Sequence, residues 1–396
     1  MKSEFGKTSL FVIAALALAV VAAWVEPPEA NPGILIDEGE PLFPEFRDVA
    51  AVQAIEVFAY NEEEAVVRPL KLEFRDGRWV LSSHNNYPAE AGDRLAKTAA
   101  ALLGLHKDMV VSDRIEDHAT YGVIDPLDNA VASLAGRGKR VTLRDGRGDV
   151  LADLVLGNPV EAREGYRYVR PPGAKRVYGV KTDADPSANF GDWVEDNLLR
   201  LSSSQLRRIT VNSYSIDETL GRLANLRRIV ATRSGDKWTS EDTGQASQSE
   251  IQAAASALVS IRIVGARPKP RPLAEQLRAG NLELTLESVM SLRERGYFLA
   301  PTGQLLSNEG EIQADTSQGV VYTLRFGEIV SGSADNAAED GQDRYLFVTV
   351  RHDPELAQKY GGAGDGAAVA RSLGRKFSDW YYVISAADFA RLRMKR

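Results

Sequence analysis

Residues 70–81 read LKLEFRDGRWVL: a run with apolar alternation from Leu70, a turn at Asp76-Gly77, and a second run that carries Trp79 just after the turn. Asp-Gly between two such runs marks a β-hairpin, because the turn needs residues that tolerate positive φ. A strand is predicted before it over Ala54–Phe58. After Tyr87-Pro88, the segment Ala89–Leu105 sets Leu95, Ala99, Leu102 and Leu103 on one helical face, and Asp108–Ser112 returns as a strand.

The same order recurs further along the chain. Arg208–Val211 reads as a strand, and Arg227–Thr232 leads through Gly235-Asp236 to Lys237-Trp238-Thr239, so that SGDKWTS answers RDGRWVL and Trp238 answers Trp79. Ser247-Gln248-Ser249-Glu250 has the spacing of a capping box, which starts a helix with Ile251, Ala255, Leu258 and Val259 facing inward. Arg262–Val264 is predicted to follow as a strand.

Each half continues with further strands: VTLRDGRGDVLADLVLG, YRYVRP and RVYGV in the first, VVYTLRFGEIV, RYLFVTV and WYYVIS in the second. Alternation at Tyr345, Phe347 and Thr349 suggests a sheet with one wet face. The predicted fold class is α+β: an N-terminal transmembrane helix followed by two related repeats, each an antiparallel sheet with a packed helix. The divisions are residues 1–30, 31–204 and 205–396. Ser331–Asp343, acidic and without apolar anchors, and Gly361–Gly366 (GGAGDG) read as linkers.

The apolar run Ser9–Val25 follows Lys2 and Lys7, ends at Trp24, and is succeeded by Glu26-Pro27-Pro28. Its length is at the short edge of a spanning helix. Lysines before it and acids after it place the N-terminus inside and the body outside, a single-pass protein of the cytoplasmic membrane. A cleaved signal peptide ending near Ala17-Leu18-Ala19 is the alternative, and it also exports the body. Residues from Glu26 to about Pro41 form a proline-rich tether.

The chain of 396 residues is 44% hydrophobic and 26% charged, the balance of a globular protein. A net charge of -7 argues against nucleic acid, whose phosphates demand clustered Lys and Arg. The absence of cysteine excludes disulfides, thiolate metal sites and thiol nucleophiles.

Several motifs together resemble the bacterial family known as domain of unknown function 4340. They are Leu42-Phe43-Pro44, Asp76-Gly77-Arg78-Trp79, Tyr87-Pro88-Ala89, Tyr121-Gly122-Val123, Asp125-Pro126, Gly157, Tyr168-Val169-Arg170, and Asp196 with Leu198-Leu199. The resemblance covers the first half well and the second loosely. It implies an extracytoplasmic, membrane-tethered protein associated with ABC-type transporters related to gliding-motility export, and it carries over no catalytic residue.

Little chemistry can be read from the residues themselves. His84, His106, His118 and His352 have no metal-ligand spacing, and they read as surface or turn histidines. Asp117-His118 has no G-x-S-x-G serine to activate. Gly362–Gly366 lacks the Gly-Lys-Ser/Thr ending of a phosphate loop, and Glu62–Glu64 and Glu339-Asp340 lack the spacing of a calcium loop. Trp79, Trp193, Trp238 and Trp380, with Tyr381-Tyr382, read as core before carbohydrate platform. We therefore assign no catalytic, cofactor or metal residue, and expect a non-catalytic envelope protein with a protein partner. The alternatives are a carboxylate-dependent hydrolase working between the halves and a polysaccharide-binding module.

Overall fold

The computed structural model describes residues 37–90, 92–195, 197–217, 222–241, 246–280, 284–300, 302–330 and 342–393. The apolar run Ser9–Val25, the tether up to residue 36, Asp196 and residues 331–341 of the acidic loop lie outside the described residues. No helix among the described residues is long and apolar enough to cross a membrane.

The first half forms β1 (Ala54–Asn61), β2 (Val66–Arg75), β3 (Arg78–Leu81), β4 (Tyr87–Pro88), α1 (Gly92–Leu103), β5 (Met109–Ser112), β6 (Lys139–Arg144), β7 (Val150–Pro159), β8 (Tyr166–Arg170) and β9 (Val177–Lys181). The strands make one antiparallel sheet in the order β4-β3-β2-β1-β6-β7-β8-β9-β5. Asp76, at φ 50°, and Gly77, at φ 77°, make the turn between β2 and β3, both in the left-handed region such a turn requires.

The second half forms β10 (Leu206–Asp217), β11 (Arg222–Ser234), β12 (Lys237–Ser240), α2 (Gln248–Val259) and β13 (Gly265–Pro268), then α3 (Arg271–Ala279), α4 (Leu286–Arg293), β14 (Tyr297–Leu299) and β15 (Leu305–Ser307). It closes with β16 (Glu311–Thr316), β17 (Val320–Ile329), β18 (Arg344–His352), α5 (Pro354–Tyr360), α6 (Gly366–Ser378), β19 (Trp380–Ile384) and α7 (Ala386–Leu392). Its main sheet has the order β12-β11-β10-β16-β17-β18-β19-β13. Put β10 to β13 in place of β1, β2, β3 and β5, and β16 to β19 in place of β6 to β9, and the two orders coincide apart from the short edge strand β4. The duplication visible in the sequence is thus a duplication of topology. The capping box forms as read: Ser247 accepts from the Glu250 amide, and Glu250 reaches back to the Ser247 amide.

The halves share one apolar core. It takes Ile55, Leu72, Ala99 and Leu154 from the first sheet and its helix, and Ile209, Leu258, Leu324 and Leu346 from the second. Trp193, fully buried in the connection between the sheets, belongs to the same core. Across the junction, Tyr87 packs on Trp380 with ring centroids 4.9 Å apart, and Asn85 donates to the Ala266 carbonyl at 3.3 Å.

Three local expectations are corrected. Ile261 and Ile263 are buried, but the strand predicted at Arg262–Val264 starts only at Gly265, where β19 comes alongside to pair. Alternation there reflects burial of Ile261 and Ile263 ahead of the strand, and β19 is first met at Val264, whose amide donates to the Val383 carbonyl at 2.9 Å. On β18, Leu346, Phe347 and Val348 are all buried: Leu346 and Val348 enter the shared core, whereas Phe347 packs with Leu273, Leu292, Tyr297 and Tyr381 in a second cluster beneath the segment between β13 and β16. The sheet is therefore covered on both faces, not one.

The GGAGDG stretch is the third. The Gly362 amide donates to the Ser317 carbonyl at 3.1 Å, Gln318 Nε2 donates to the Ala363 carbonyl at 2.6 Å, and a Cβ on Gly366 would collide with the Gln318 carbonyl oxygen. Glycine is needed here for close approach of two backbones, not for slack. A paired substitution tests this. Gly366→Ala is expected to cost about 1–3 kcal/mol, while Gly374→Ala on the same helix, where a Cβ meets nothing within 4 Å, is expected to stabilise by about 0.5–1 kcal/mol. Urea unfolding of both variants reads the contrast, and equal effects would refute the packed-backbone account.

Candidate functional site

In both repeats the chain crosses from the edge strand to the sheet centre over one sheet face. In the second repeat that crossover holds α3, α4, β14 and β15 and fills the space beneath it with apolar side chains. In the first it is shorter, residues 113–138, and leaves a cleft of about 670 Å³ against β6 and β8. Ile115, His118, Ile124, Asp125, Arg140 and Arg170 are among its walls.

The crossover is built around main-chain contacts. Ile124 pairs with residues 136–138 through Ile124 N to the Gly136 carbonyl at 3.1 Å and Gly138 N to the Ile124 carbonyl at 2.8 Å, which closes a loop over 125–136. Arg137 holds that loop from within, donating to the carbonyls of Asp125 (3.1 Å), Pro126 (3.4 Å), Asp128 (2.9 Å), Val131 (2.7 Å) and Ser133 (3.0 Å). Its guanidinium also lies over the Tyr60 ring, 4.8 Å from the centroid. Gly157 lets β7 run against this segment, since a Cβ there would collide with the Tyr121 carbonyl oxygen. The rings of Tyr121 and Tyr168 meet at a tilt of 48°, with centroids 4.6 Å apart.

Of the acids that line the cleft, Asp125 and Asp128 are engaged, and Glu116 is exposed, 3.6 Å from Arg114. Asp125, 8% exposed, accepts from Arg140 Nη1 at 3.0 Å and from the Leu127 amide at 2.9 Å. Arg140 in turn forks onto Asp153, Nε to Oδ1 at 3.0 Å and Nη2 to Oδ2 at 2.7 Å, and Thr142 adds a hydroxyl bond of 2.9 Å to the same carboxylate. The hydrogen bonds that Arg140 donates to Asp153 raise its pKa against the opposing effect of burial. Asp128 accepts from the Ala130 amide at 2.8 Å.

The bases differ. Arg170, 5% exposed, donates Nε to the Val123 carbonyl and Nη1 to the Ala174 carbonyl, both at 2.9 Å. No described carboxylate lies within ion-pair distance of it, and burial lowers its pKa. His118, 8% exposed, has Nε2 at 2.7 Å from the Lys175 carbonyl. A carbonyl only accepts, so Nε2 is assigned a proton, which leaves Nδ1 as the ring's acceptor position.

The sequence had treated all four histidines as surface or turn residues, yet His118 and His84 are buried, the latter against Phe190 at 5.0 Å. Among the described residues no group of three or more His, Asp or Glu is arranged to hold a metal ion. The aromatic set sits in the fold: Trp193 is fully buried, Trp238 is 5% exposed, and Trp79 and Trp380 are half-buried against the core. Arg137, Arg140 and Arg170 were not singled out as site residues. Their one legible trace was Tyr168-Val169-Arg170 among the resemblance motifs, which with Tyr121-Gly122-Val123, Asp125-Pro126 and Gly157 all meet at this cleft.

A family model described as domain of unknown function (DUF4340) matches residues 79–279 of the chain. No curated protein and no solved structure matches it.

Proposed function

The chain belongs to the domain of unknown function 4340 family, and from that premise we propose that it is a membrane-anchored, extracytoplasmic binding component of an envelope ABC-type transport assembly, without catalysis of its own. In this reading Ser9–Val25 crosses the cytoplasmic membrane with the N-terminus inside and the body outside.

The disposition of the cleft's polar groups carries the proposal. Asp125 and Asp128 are committed to an arginine and to main-chain amides that hold the crossover together, and Glu116 stands exposed beside Arg114, so the described lining offers no pair of free carboxylates to share acid and base roles. Groups with bonding capacity to spare, on Arg170 and His118, suit holding a ligand. A protein partner is favoured by α4, where Leu286, Val289 and Met290 are 76%, 40% and 55% exposed at the i, i+3, i+4 spacing of one helix face.

The test is crosslinking in native membranes with a photoreactive residue in place of Met290, followed by mass spectrometry. The expected result is capture of an ABC-type permease or its companion subunit, and loss of that adduct when Leu286 is changed to Glu. Adducts only of this chain with itself would refute the assembly reading.

A further inference from the structure

Arg170 and His118 lean on consecutive carbonyls, those of Ala174 and Lys175. Two successive residues are about 3.8 Å apart along the backbone, so the two side chains are neighbours in the cleft wall. Arg170 Nη2 has no acceptor, and His118 Nδ1 no donor, among the described residues. Both residues line the cleft. The wall thus offers a guanidinium donor beside an imidazole acceptor, and around them lie Ile115, Ile124, Leu127 and Val131. Ile115 and Leu127, 55% and 39% exposed, are large apolar side chains left open to solvent at this place.

We propose that this cleft receives the C-terminus of a peptide whose last side chain is aliphatic. The terminal carboxylate bonds the Arg170 guanidinium, the last amide N–H donates to His118 Nδ1, and the side chain covers Ile115 and Leu127. A phosphate would meet the guanidinium but leave the apolar Ile115 and Leu127 uncovered. The amide N–H requirement separates a peptide end from a plain fatty acid. A carbonyl-anchored guanidinium is also preorganised, since Val123 and Ala174 hold it in place before any ligand arrives.

The inference rests on the binding reading above and names the chemistry of one partner. The two fall separately: the Met290 crosslink can fail while a peptide binds, and a peptide can fail to bind while the crosslink forms.

The test uses the full-length protein in detergent micelles, titrated calorimetrically with a short peptide ending in leucine, the same peptide as its C-terminal amide, N-acetyl-leucine, and inorganic phosphate. The free acid is expected to bind, and the amide to bind at least about tenfold more weakly, a difference of about 1.4 kcal/mol. Arg170→Gln is expected to abolish binding. Because a buried substitution also disturbs folding, Ile115→Glu serves as the second variant: its exposed position leaves thermal unfolding unchanged, and binding is expected to fall at least tenfold. Equal affinity for acid and amide, phosphate binding as tight as the peptide, or unchanged binding by Ile115→Glu would overturn the proposal. Binding of N-acetyl-leucine without binding of the peptide would overturn the assignment to a peptide end.

Discussion

Replacing Trp193 by alanine is expected to remove about 3–5 kcal/mol of stability, the range for truncating a large buried aromatic side chain. The indole is fully buried in the core that both sheets share, its Nε1 donates to the Ser187 carbonyl at 2.9 Å, and its own carbonyl accepts from the Glu90 amide at 3.0 Å. Arg94 lies over the ring at 5.9 Å from the centroid. Ions also close this seam, where Glu195 pairs with Lys376 and, at 2.6 Å, with Arg200. Alanine leaves a cavity where the two halves meet, and the surrounding β structure has little freedom to collapse into it. Phenylalanine at the same position keeps most of the apolar volume and loses the indole hydrogen bond, so about 1–2 kcal/mol is expected. Urea unfolding of the full chain in micelles measures both. An alanine variant within 1 kcal/mol of the parent, on the scale of a surface substitution, would mean that the connection is not the keystone of the shared core.

The second large effect is expected at Lys269. Its buried amino group donates to the Phe377 carbonyl at 2.7 Å and to the Trp380 carbonyl at 2.8 Å, with the Phe347 ring 4.0 Å away. Both acceptors lack an ordinary donor for a local reason. Phe377 is in the last turn of α6, where helix carbonyls go unpaired, and Trp380 lies beyond the Leu346–Tyr382 pair at which β18 and β19 part. Lys269→Met would strand both carbonyls, at about 1–3 kcal/mol each. Desolvation pushes the Lys269 pKa well below its ordinary value, only partly opposed by Asp379. Between that depressed value and about 10.5, the unfolded chain holds a proton that the folded chain does not. Stability therefore rises with pH across this window, by up to about 1.4 kcal/mol per pH unit, and levels off above it. Urea unfolding of parent and Lys269→Met from neutral pH to pH 10.5 should show the difference widening in favour of lysine. A flat or narrowing difference would contradict this account.

Local signals and long-range consequences divide cleanly in this chain. The hairpins at Asp76-Gly77 and Gly235-Asp236, the capping box at Ser247 and the paired tryptophans were legible, because each depends on residues close together in the chain. Repetition of those signals was enough to expose the duplicated α+β design and, with the family motifs, the family. Residues 269–310 were not legible: their four short elements exist because Phe347 and Tyr381 on the sheet supply an apolar floor, and no local periodicity announces such a floor. The same holds for the GGAGDG stretch, whose glycines answer to the backbone of Ser317 and Gln318.

The cleft belongs wholly to the second kind. Val123, Arg170 and Ala174 are brought together by pairing of β7, β8 and β9 and by the crossover laid over them, and sequence separation hides that meeting. By itself, then, the amino-acid sequence determined the repeated order of strands and helices and the family, since turn chemistry, capping and hydrophobic period act within a few residues. Only the tertiary structure decided that one crossover is filled with apolar side chains while the other stays open, with a buried arginine and histidine in its wall, because burial is set by what lies opposite in space.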